Sequence, residues 1–217
     1  MKKLLFASMM CADFGNLKNE LNALEKAGID VLHLDVMDGS FVPNFGLGLQ
    51  MIKYICDNTS LVCDVHLMVE NPALHIDKFI DVGVKIIYIH PEVDRNACRT
   101  LQRIKDRGVK TGIAINPQTS FESVKELLYL CDYVMIMSVN PGFAGQEYLS
   151  FVNKKFERFI QEAPAYDDYQ VVIDGACSPK KIAALSKIGV KGFVLGTSAL
   201  FGKEKDYQTI CSELRKL

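Results

Sequence analysis

Short apolar runs recur along the chain, separated by stretches that mix charged and apolar residues. Eight of these runs are rich in Val and Ile and have the length of buried strands. They read KLLFAS, DVLHLDV, LVCDVHLM, KIIYIH, KTGIAIN, YVMIMSV, YQVVID and GFVLG. Because they are apolar almost throughout instead of alternating, they predict parallel strands that are covered on both faces.

The stretches between these runs predict helices. In NLKNELNALEKAG, CRTLQRIKDRG and PKKIAALSKIG the apolar residues recur at helical spacing, and Gly28, Gly108 and Gly189 stand where helices commonly end. This alternation predicts an α/β fold, a single (β/α)8 TIM barrel that forms one domain over residues 1–217. A doubly wound open sheet is the alternative, but no early GxGxxG turn supports it.

Composition narrows the classes of partner. The formal net charge is −1, and Lys and Arg are scattered instead of forming a stripe, so nothing indicates nucleic acid or an anionic membrane surface. The start, MKKLLFASMMCADFG, resembles a signal peptide. The seven cysteines are odd in number and form no CxxC pair, which indicates reduced thiols and not a disulfide framework. We therefore expect that this stretch is not a signal peptide. Reduced thiols and the lack of a membrane-spanning apolar run favour the cytoplasm.

Polar residues interrupt the apolar runs near the predicted strand ends. His33 and Asp35 stand two residues apart and so share one face of the second strand, where burying unpaired polar groups is costly. Further polar residues stand near the ends of later strands: Asp64, His66, His90, Asn116 and Asp174. In a TIM barrel these strand ends meet on the face that carries active sites.

These side chains have metal-binding chemistry. Two histidines and two or more carboxylates at one end of a barrel form a mixed nitrogen and oxygen set, which suits Zn2+, Mn2+, Fe2+ or Co2+ better than Ca2+ or Mg2+. A set of buried ion pairs is the alternative, because Asp64 and His66 could satisfy each other.

Glycine-containing segments follow the last three predicted strands: SVNPGFAGQ at 138–146, DGACSP at 174–179 and LGTSALFG at 195–202. Glycines let backbone N–H groups approach an anion, and a short helix starting after Gly196 would direct its positive end toward it. We therefore predict a phosphate site. Methionines beside the polar strand ends are interpreted as core filler or as an apolar pocket wall: Met37, Met68 and Met137.

Together these motifs resemble the ribulose-phosphate 3-epimerase family over essentially the whole chain. HLDVMDGSFVPN, DVHLM, MSVNPGFAGQ and IDGACSP have the order and spacing found in that family. The resemblance implies a carbohydrate isomerase, a ketose-phosphate 3-epimerase with one divalent metal ion (Zn, Mn, Fe or Co) per subunit, and a homo-oligomer, either dimer or hexamer. The metal ligands it implies are His33, Asp35, His66 and Asp174.

The resemblance also implies where a phosphorylated ketose binds. It places Ser8 and His66 beside the sugar. It assigns the phosphate to residues of the three late loops: Gly142, Phe143, Ala144, Gly145, Gly175, Ala176, Gly196 and Thr197. Inverting C3 through an enediolate requires a proton to leave from one face and another to arrive at the opposite face. Asp35 and Asp174, from strands far apart around the barrel, are the predicted acid and base.

Departures from the family pattern bear on the substrate. ASMMCADF stands where the family usually has PSILSADF, so Ala7 and Cys11 replace a proline and a serine. GFAGQ replaces GFGGQ, and DGA followed by Cys177 replaces DGG. With HPE at 90–92 and GTSALF at 196–201, these departures look like the allulose-6-phosphate 3-epimerase branch. The sequence therefore favours D-allulose 6-phosphate and D-fructose 6-phosphate, with D-ribulose 5-phosphate and D-xylulose 5-phosphate as the alternative.

The sequence is also compatible with two other classes of protein. A barrel lyase or decarboxylase acting on a sugar phosphate often relies on a lysine, and none stands among the polar strand-end residues. A non-catalytic sugar-phosphate binder would not require both carboxylates. His90 and Glu92 are interpreted equally as sugar contacts or structural residues, and Cys11 and Cys177 as pocket walls.

Overall fold

Eight parallel strands close into a barrel in the order of the chain. The computed structural model describes residues 3–217. The strands are β1 Leu4–Ser8, β2 Val31–Met37, β3 Val62–Met68, β4 Ile86–Ile89, β5 Lys110–Ile115, β6 Tyr133–Met137, β7 Gln170–Asp174 and β8 Gly192–Leu195. Each strand pairs with the next, and β8 closes the ring by pairing with β1, where Phe193 lies opposite Leu5. The predicted (β/α)8 TIM barrel is therefore confirmed, and the open-sheet alternative is wrong.

Helices connect the strands. They are α1 Leu17–Lys26, α2 Leu49–Asp57, α3 Ile76–Asp81, α4 Ala97–Asp106, α5 Phe121–Val124, α6 Asn153–Glu162, α7 Pro179–Ile188 and α8 Tyr207–Lys216. The three helices that the sequence predicted most clearly are α1, α4 and α7, and each ends within two residues of its predicted glycine. Among residues 3–217 no helix is long and apolar enough to cross a membrane.

Two apolar clusters hold the barrel together. The larger lies between the strands and the helices and includes Leu32 and Leu34 of β2. The smaller one fills the barrel and includes Val31 of the same strand. Because side chains alternate along a strand, His33 and Asp35 share the inward face with Val31. The barrel thus carries its polar side chains inside, near its carboxyl end.

The domain prediction for residues 1–217 includes Met1 and Lys2, which lie outside the described residues. The apolar stretch near the start of the chain forms β1, which pairs with strands on both sides. One domain over the full chain stays a prediction.

A substitution at Gly112 of β5 would test how tightly the barrel interior is packed. It lies opposite Tyr88 of β4, and a Cβ built at Gly112 would overlap the Tyr88 ring. We expect Gly112→Ala to lower the free energy of unfolding by about 1–3 kcal/mol through overpacking, measured by urea denaturation. In a Tyr88→Leu background the same change should cost less. An unchanged urea midpoint for Gly112→Ala would show that the ring moves away freely.

Candidate active site

Two histidines and two aspartates meet at the carboxyl end of the barrel. β2 supplies His33 and Asp35, β3 supplies His66, and β7 ends at Asp174. The register places Asp35 directly opposite His66. Each of the four offers one ligand atom, and these atoms all lie within 4.8 Å of one another. The strands therefore bring together the four residues that the sequence marked as metal ligands.

The spacing of the donor atoms fits a single metal ion. Asp35 Oδ1 lies 3.3 Å from His33 Nε2 and 3.2 Å from His66 Nδ1. Asp174 Oδ2 lies 3.9 Å and 3.6 Å from the same two nitrogens. Four ligands about 2.0–2.1 Å from one ion in a tetrahedral site would be separated by about 3.3 Å.

The His33 ring supports this fit independently. Its Nε2 is fully buried and makes no hydrogen bond within residues 3–217. A buried polar nitrogen without a partner is uncommon in folded proteins, and a metal ion would satisfy it. The mixed nitrogen and oxygen set is of the kind that Zn2+, Mn2+, Fe2+ and Co2+ prefer.

The electrostatics of the cluster differ between its two carboxylates. Burial would raise the pKa of Asp35, but the neighbouring imidazoles of His33 and His66 outweigh burial and hold that pKa below its ordinary value. For Asp174, burial and the Asp35 charge prevail over the histidines and raise the pKa. Burial would lower the pKa of His33, and the neighbouring carboxylates of Asp64 and Asp35 raise it well above the ordinary value.

Both histidines have further polar partners away from the cluster. Asp64 Oδ1 lies 2.8 Å from His33 Nδ1, so Asp64 is a partner of His33 and not of His66 as the ion-pair alternative supposed. His66 Nε2 instead lies 2.8 Å from His90 Nε2. His90 is fully buried, and its burial lowers its pKa to about 4. His90 and Glu92 do not line the pocket, so the structure does not place them as sugar contacts.

A pocket of about 550 Å3, including its opening to solvent, lies over the cluster. Its wall contains Asp35, Asp174 and every residue that the sequence assigned to the sugar, the phosphate and the methionine wall, with the exception of His66. His66 is fully buried and its second nitrogen faces His90. Cys11 and Cys177 also line the pocket, as predicted.

The loop after β6 lines this pocket and has backbone N–H groups without a partner among the described residues. The Gln146 side-chain amide donates to the carbonyls of Asn140 and Phe143 at 2.6 and 2.9 Å, and Asn44 Nδ2 donates to Gly142 O at 2.7 Å. None of the backbone N–H groups of residues 142–145 donates a hydrogen bond to another described residue. Carbonyls that are bonded to side chains and N–H groups that are free together suit an anion.

Two glycines shape the loops that the sequence assigned to phosphate. Gly142 has φ +116° and Gly175 has φ +97°, a backbone region that side chains with a Cβ rarely adopt. The prediction of a short helix after Gly196 is wrong. The chain there forms a turn in which Gly196 O accepts from the N–H groups of Ala199 and Leu200, and the next helix, α8, begins at Tyr207.

Comparison with known proteins identifies the family. A model described as the ribulose-phosphate 3 epimerase family matches residues 4–201. Ribulose-phosphate 3-epimerase of Aquifex aeolicus is 38% identical over 211 residues, which cover 95% of this chain and 94% of that protein. The enzyme of the same name from Bacillus subtilis is 35% identical over 210 residues, 96% of each chain. The chain belongs to the ribulose-phosphate 3-epimerase family.

Solved structures show the same barrel. 3-Keto-L-gulonate-6-phosphate decarboxylase from Vibrio cholerae has a TM-score of 0.69 at 16% identity, covering 100% of this chain and 97% of that one. A 3-hexulose-6-phosphate synthase has a TM-score of 0.68 at 16% identity, covering 100% and 99%. At such low identity these likenesses show the fold alone and do not favour a lyase or decarboxylase.

Family membership confirms the predicted enzyme class, an isomerase that acts on carbohydrates. These relatives do not support the finer expectation of the allulose-6-phosphate branch. The dimer or hexamer, the cytoplasmic location and the absence of nucleic-acid and membrane partners stay predictions.

Sequence reasoning missed several residues that shape the site. Gln146 stands inside the SVNPGFAGQ motif and Asn44 inside the first motif, so both were visible without an assigned role. Asn44 and Gly142 are 98 positions apart in the chain, and no local pattern indicates that they meet. Met10 and Ser198 also line the pocket beside assigned residues.

The four-residue cluster should bind one metal ion. We expect chelator-treated protein to take up about one equivalent of Co2+ per chain in an absorption titration. His66→Asn should weaken binding by at least about tenfold, because it removes a ligand nitrogen. His75→Asn serves as the control, because His75 neither belongs to the cluster nor contacts His66 as His90 does. Unaltered Co2+ binding by His66→Asn would place the ion elsewhere.

Proposed function

We propose that the protein is a metal-dependent epimerase that interconverts D-ribulose 5-phosphate and D-xylulose 5-phosphate by inverting C3. The observation that carries this proposal is the meeting of two carboxylates with two histidine nitrogens beneath a pocket that also has free loop N–H groups. The choice of a pentulose is supported by relatives of 35–38% identity whose name is ribulose-phosphate 3-epimerase.

Asp35 and Asp174 are the two acid/base groups in this proposal. Asp35 turns Oδ1 and Asp174 turns Oδ2 toward the histidines, which leaves a second oxygen on each to carry a proton. One carboxylate takes the C3 proton from one face of the sugar, and the other gives a proton to the opposite face. Ser8 Oγ donates to Asp35 Oδ2 at 3.2 Å and orients that carboxylate.

The cluster would hold a divalent ion through His33, Asp35, His66 and Asp174, as their spacing supports. When bound, such an ion supplies positive charge next to the reacting carbon and stabilises the enediolate that forms as C3 loses its proton. The chain itself supplies apolar surface beside that charge, because Met37, Met68 and Met137 line the pocket, and apolar surroundings strengthen electrostatic interactions.

The phosphate is held by the late loops. Residues 142–145 present N–H groups that have no partner within residues 3–217, and the segments at 175–176 and 196–197 lie on the same pocket wall. Binding the phosphate away from C3 orients the sugar between the two carboxylates. The remote contact therefore contributes to the rate as well as to affinity.

A hexulose phosphate is the second candidate substrate. The observation that favours it is the position of the departures from the family pattern, since Cys11, Ala144, Ala176 and Cys177 all line the pocket. These four residues therefore could alter the room available to the sugar or the contacts of its phosphate.

The substrate proposal predicts a rate ratio. We expect kcat/KM for D-ribulose 5-phosphate to exceed that for D-allulose 6-phosphate by about tenfold or more, measured side by side on metal-loaded protein. Cys11→Ser restores the usual serine and tests whether the departure controls the ratio. Faster turnover of the allulose phosphate would overturn the pentulose assignment and leave the epimerase chemistry intact.

The two-acid mechanism predicts the behaviour of Asp174→Asn. This change keeps the shape of the side chain and one oxygen for the ion but removes the proton-carrying group. Epimerisation should fall by about 10²- to 10⁴-fold. One epimer should still exchange its C3 proton with solvent deuterium, since Asp35 is intact; proton NMR follows both reactions.

Asp174→Asn could lose activity because it lacks the proton-carrying group or because it no longer binds the metal ion, and the metal content distinguishes the two. Metal analysis of the same sample shows whether the ion is retained, and Glu70→Gln, an exposed carboxylate change in the loop after β3, is the control. A metal-loaded Asp174→Asn that epimerises at the parent rate would show that Asp174 is only a ligand.

A further inference from the structure

Provided that His66 binds the metal ion as proposed above, we propose that Glu92 is a positioning residue for it. Acting through His90, Glu92 fixes which ring nitrogen of His66 carries the proton and keeps Nδ1 free to bind the ion. Neither His90 nor Glu92 lines the pocket, so this role is separate from sugar binding.

The imidazole rings of His66 and His90 contact each other through one nitrogen each. His66 Nε2 lies 2.8 Å from His90 Nε2, and both rings are fully buried. Two nitrogens at this distance share one hydrogen, so one ring donates and the other accepts. The other nitrogen of His66, Nδ1, faces Asp35 and Asp174. To bind a metal ion, Nδ1 must keep its lone pair, and a neutral His66 must then donate from Nε2.

Glu92 decides the direction of this hydrogen bond. Its Oε2 lies 3.4 Å from His90 Nδ1, which makes no hydrogen bond with any other described residue. An ionised carboxylate only accepts, so it favours a proton on His90 Nδ1. A neutral His90 then has a lone pair at Nε2 and accepts from His66. Asp35 Oδ1 lies 3.2 Å from His66 Nδ1 and favours a proton on that nitrogen while the ion is absent. Glu92, acting through His90, opposes this preference and holds the proton of His66 on Nε2.

The surroundings keep Glu92 ionised and fixed. Its Oε1 accepts from the backbone N–H of Asn116 at 2.8 Å and from the hydroxyl of Thr119. Burial would raise the pKa of Glu92, but its hydrogen bonds and the nearby His90 outweigh burial and lower the pKa to about 2. Because Oε1 is already engaged by two donors, Oε2 is the oxygen that faces His90.

The other proposed histidine ligand, His33, is oriented by a carboxylate that contacts it directly. Asp64 Oδ1 lies 2.8 Å from His33 Nδ1 and leaves His33 Nε2 facing the cluster. A carboxylate that orients a metal-binding imidazole is a recurring arrangement. For His66 the corresponding carboxylate is that of Glu92, which acts through His90 instead of contacting the ligand itself.

Glu92→Gln should reverse the chain of hydrogen bonds. The amide oxygen replaces Oε1 between the two donors, which turns the NH2 group toward His90 Nδ1. His90 must then carry its proton on Nε2 and donate to His66, which moves the His66 proton onto the metal-binding nitrogen. We expect metal affinity to fall by about 10- to 100-fold, measured by competition with a chromophoric chelator.

Histidine tautomers provide a readout that a merely structural role would not change. Long-range 1H–15N spectra of 15N-histidine-labelled protein resolve the four histidines, before and after chelator treatment. In the chelated parent protein we expect His66 protonated at Nε2 and His90 at Nδ1, and in Glu92→Gln both reversed. Thr119→Val is the matched control, because it removes a donor from Glu92 but leaves the charge facing His90.

The outcomes separate this inference from the proposed function. A parent protein with His66 protonated at Nδ1, or a Glu92→Gln protein with parent tautomers and parent metal affinity, would overturn the role of Glu92. If Glu92→Gln does not fold, the tautomers of the parent protein alone decide. Failure of the parent protein to bind metal or to epimerise would instead overturn the proposed function, whatever the tautomers.

Discussion

Burial of charge at the mouth of the barrel is the constraint on which the site depends. His33, Asp35 and His66 are almost completely buried, and their donor atoms face one another across 3.2–3.3 Å. Carboxylates and imidazoles in such a place need a compensating charge, because water cannot reach them. A divalent cation would supply that compensation, and in the proposed reaction it would also stabilise the charge that develops when the carbon next to the ketone loses its proton.

The barrel separates the two tasks of the site. β2, β3 and β7 hold the cluster on rigid strands, while the loops after β6, β7 and β8 form the wall proposed for the phosphate. Side-chain amides of Asn44 and Gln146 fasten the loop after β6 by its carbonyls. The cluster and the proposed phosphate wall therefore come from different parts of the chain and can vary independently.

Much of this architecture could be predicted from the sequence, because buried parallel strands are apolar throughout and a two-residue spacing puts His33 and Asp35 on one face. Contacts between distant segments could not be predicted. The hydrogen bond from Asn44 to Gly142 and the meeting of His66 with His90 depend on three-dimensional register. The predicted helix after Gly196 failed because a helix N-terminus and a tight turn begin with the same residue types.

Anomalous diffraction from crystals grown with Zn2+ as the sole divalent metal tests the central claim most directly. A metal ion at the cluster predicts one strong peak about 2.0–2.2 Å from His33 Nε2, His66 Nδ1, Asp35 Oδ1 and Asp174 Oδ2. Crystals in which these four atoms bind no zinc, although the same protein solution is active, would contradict it.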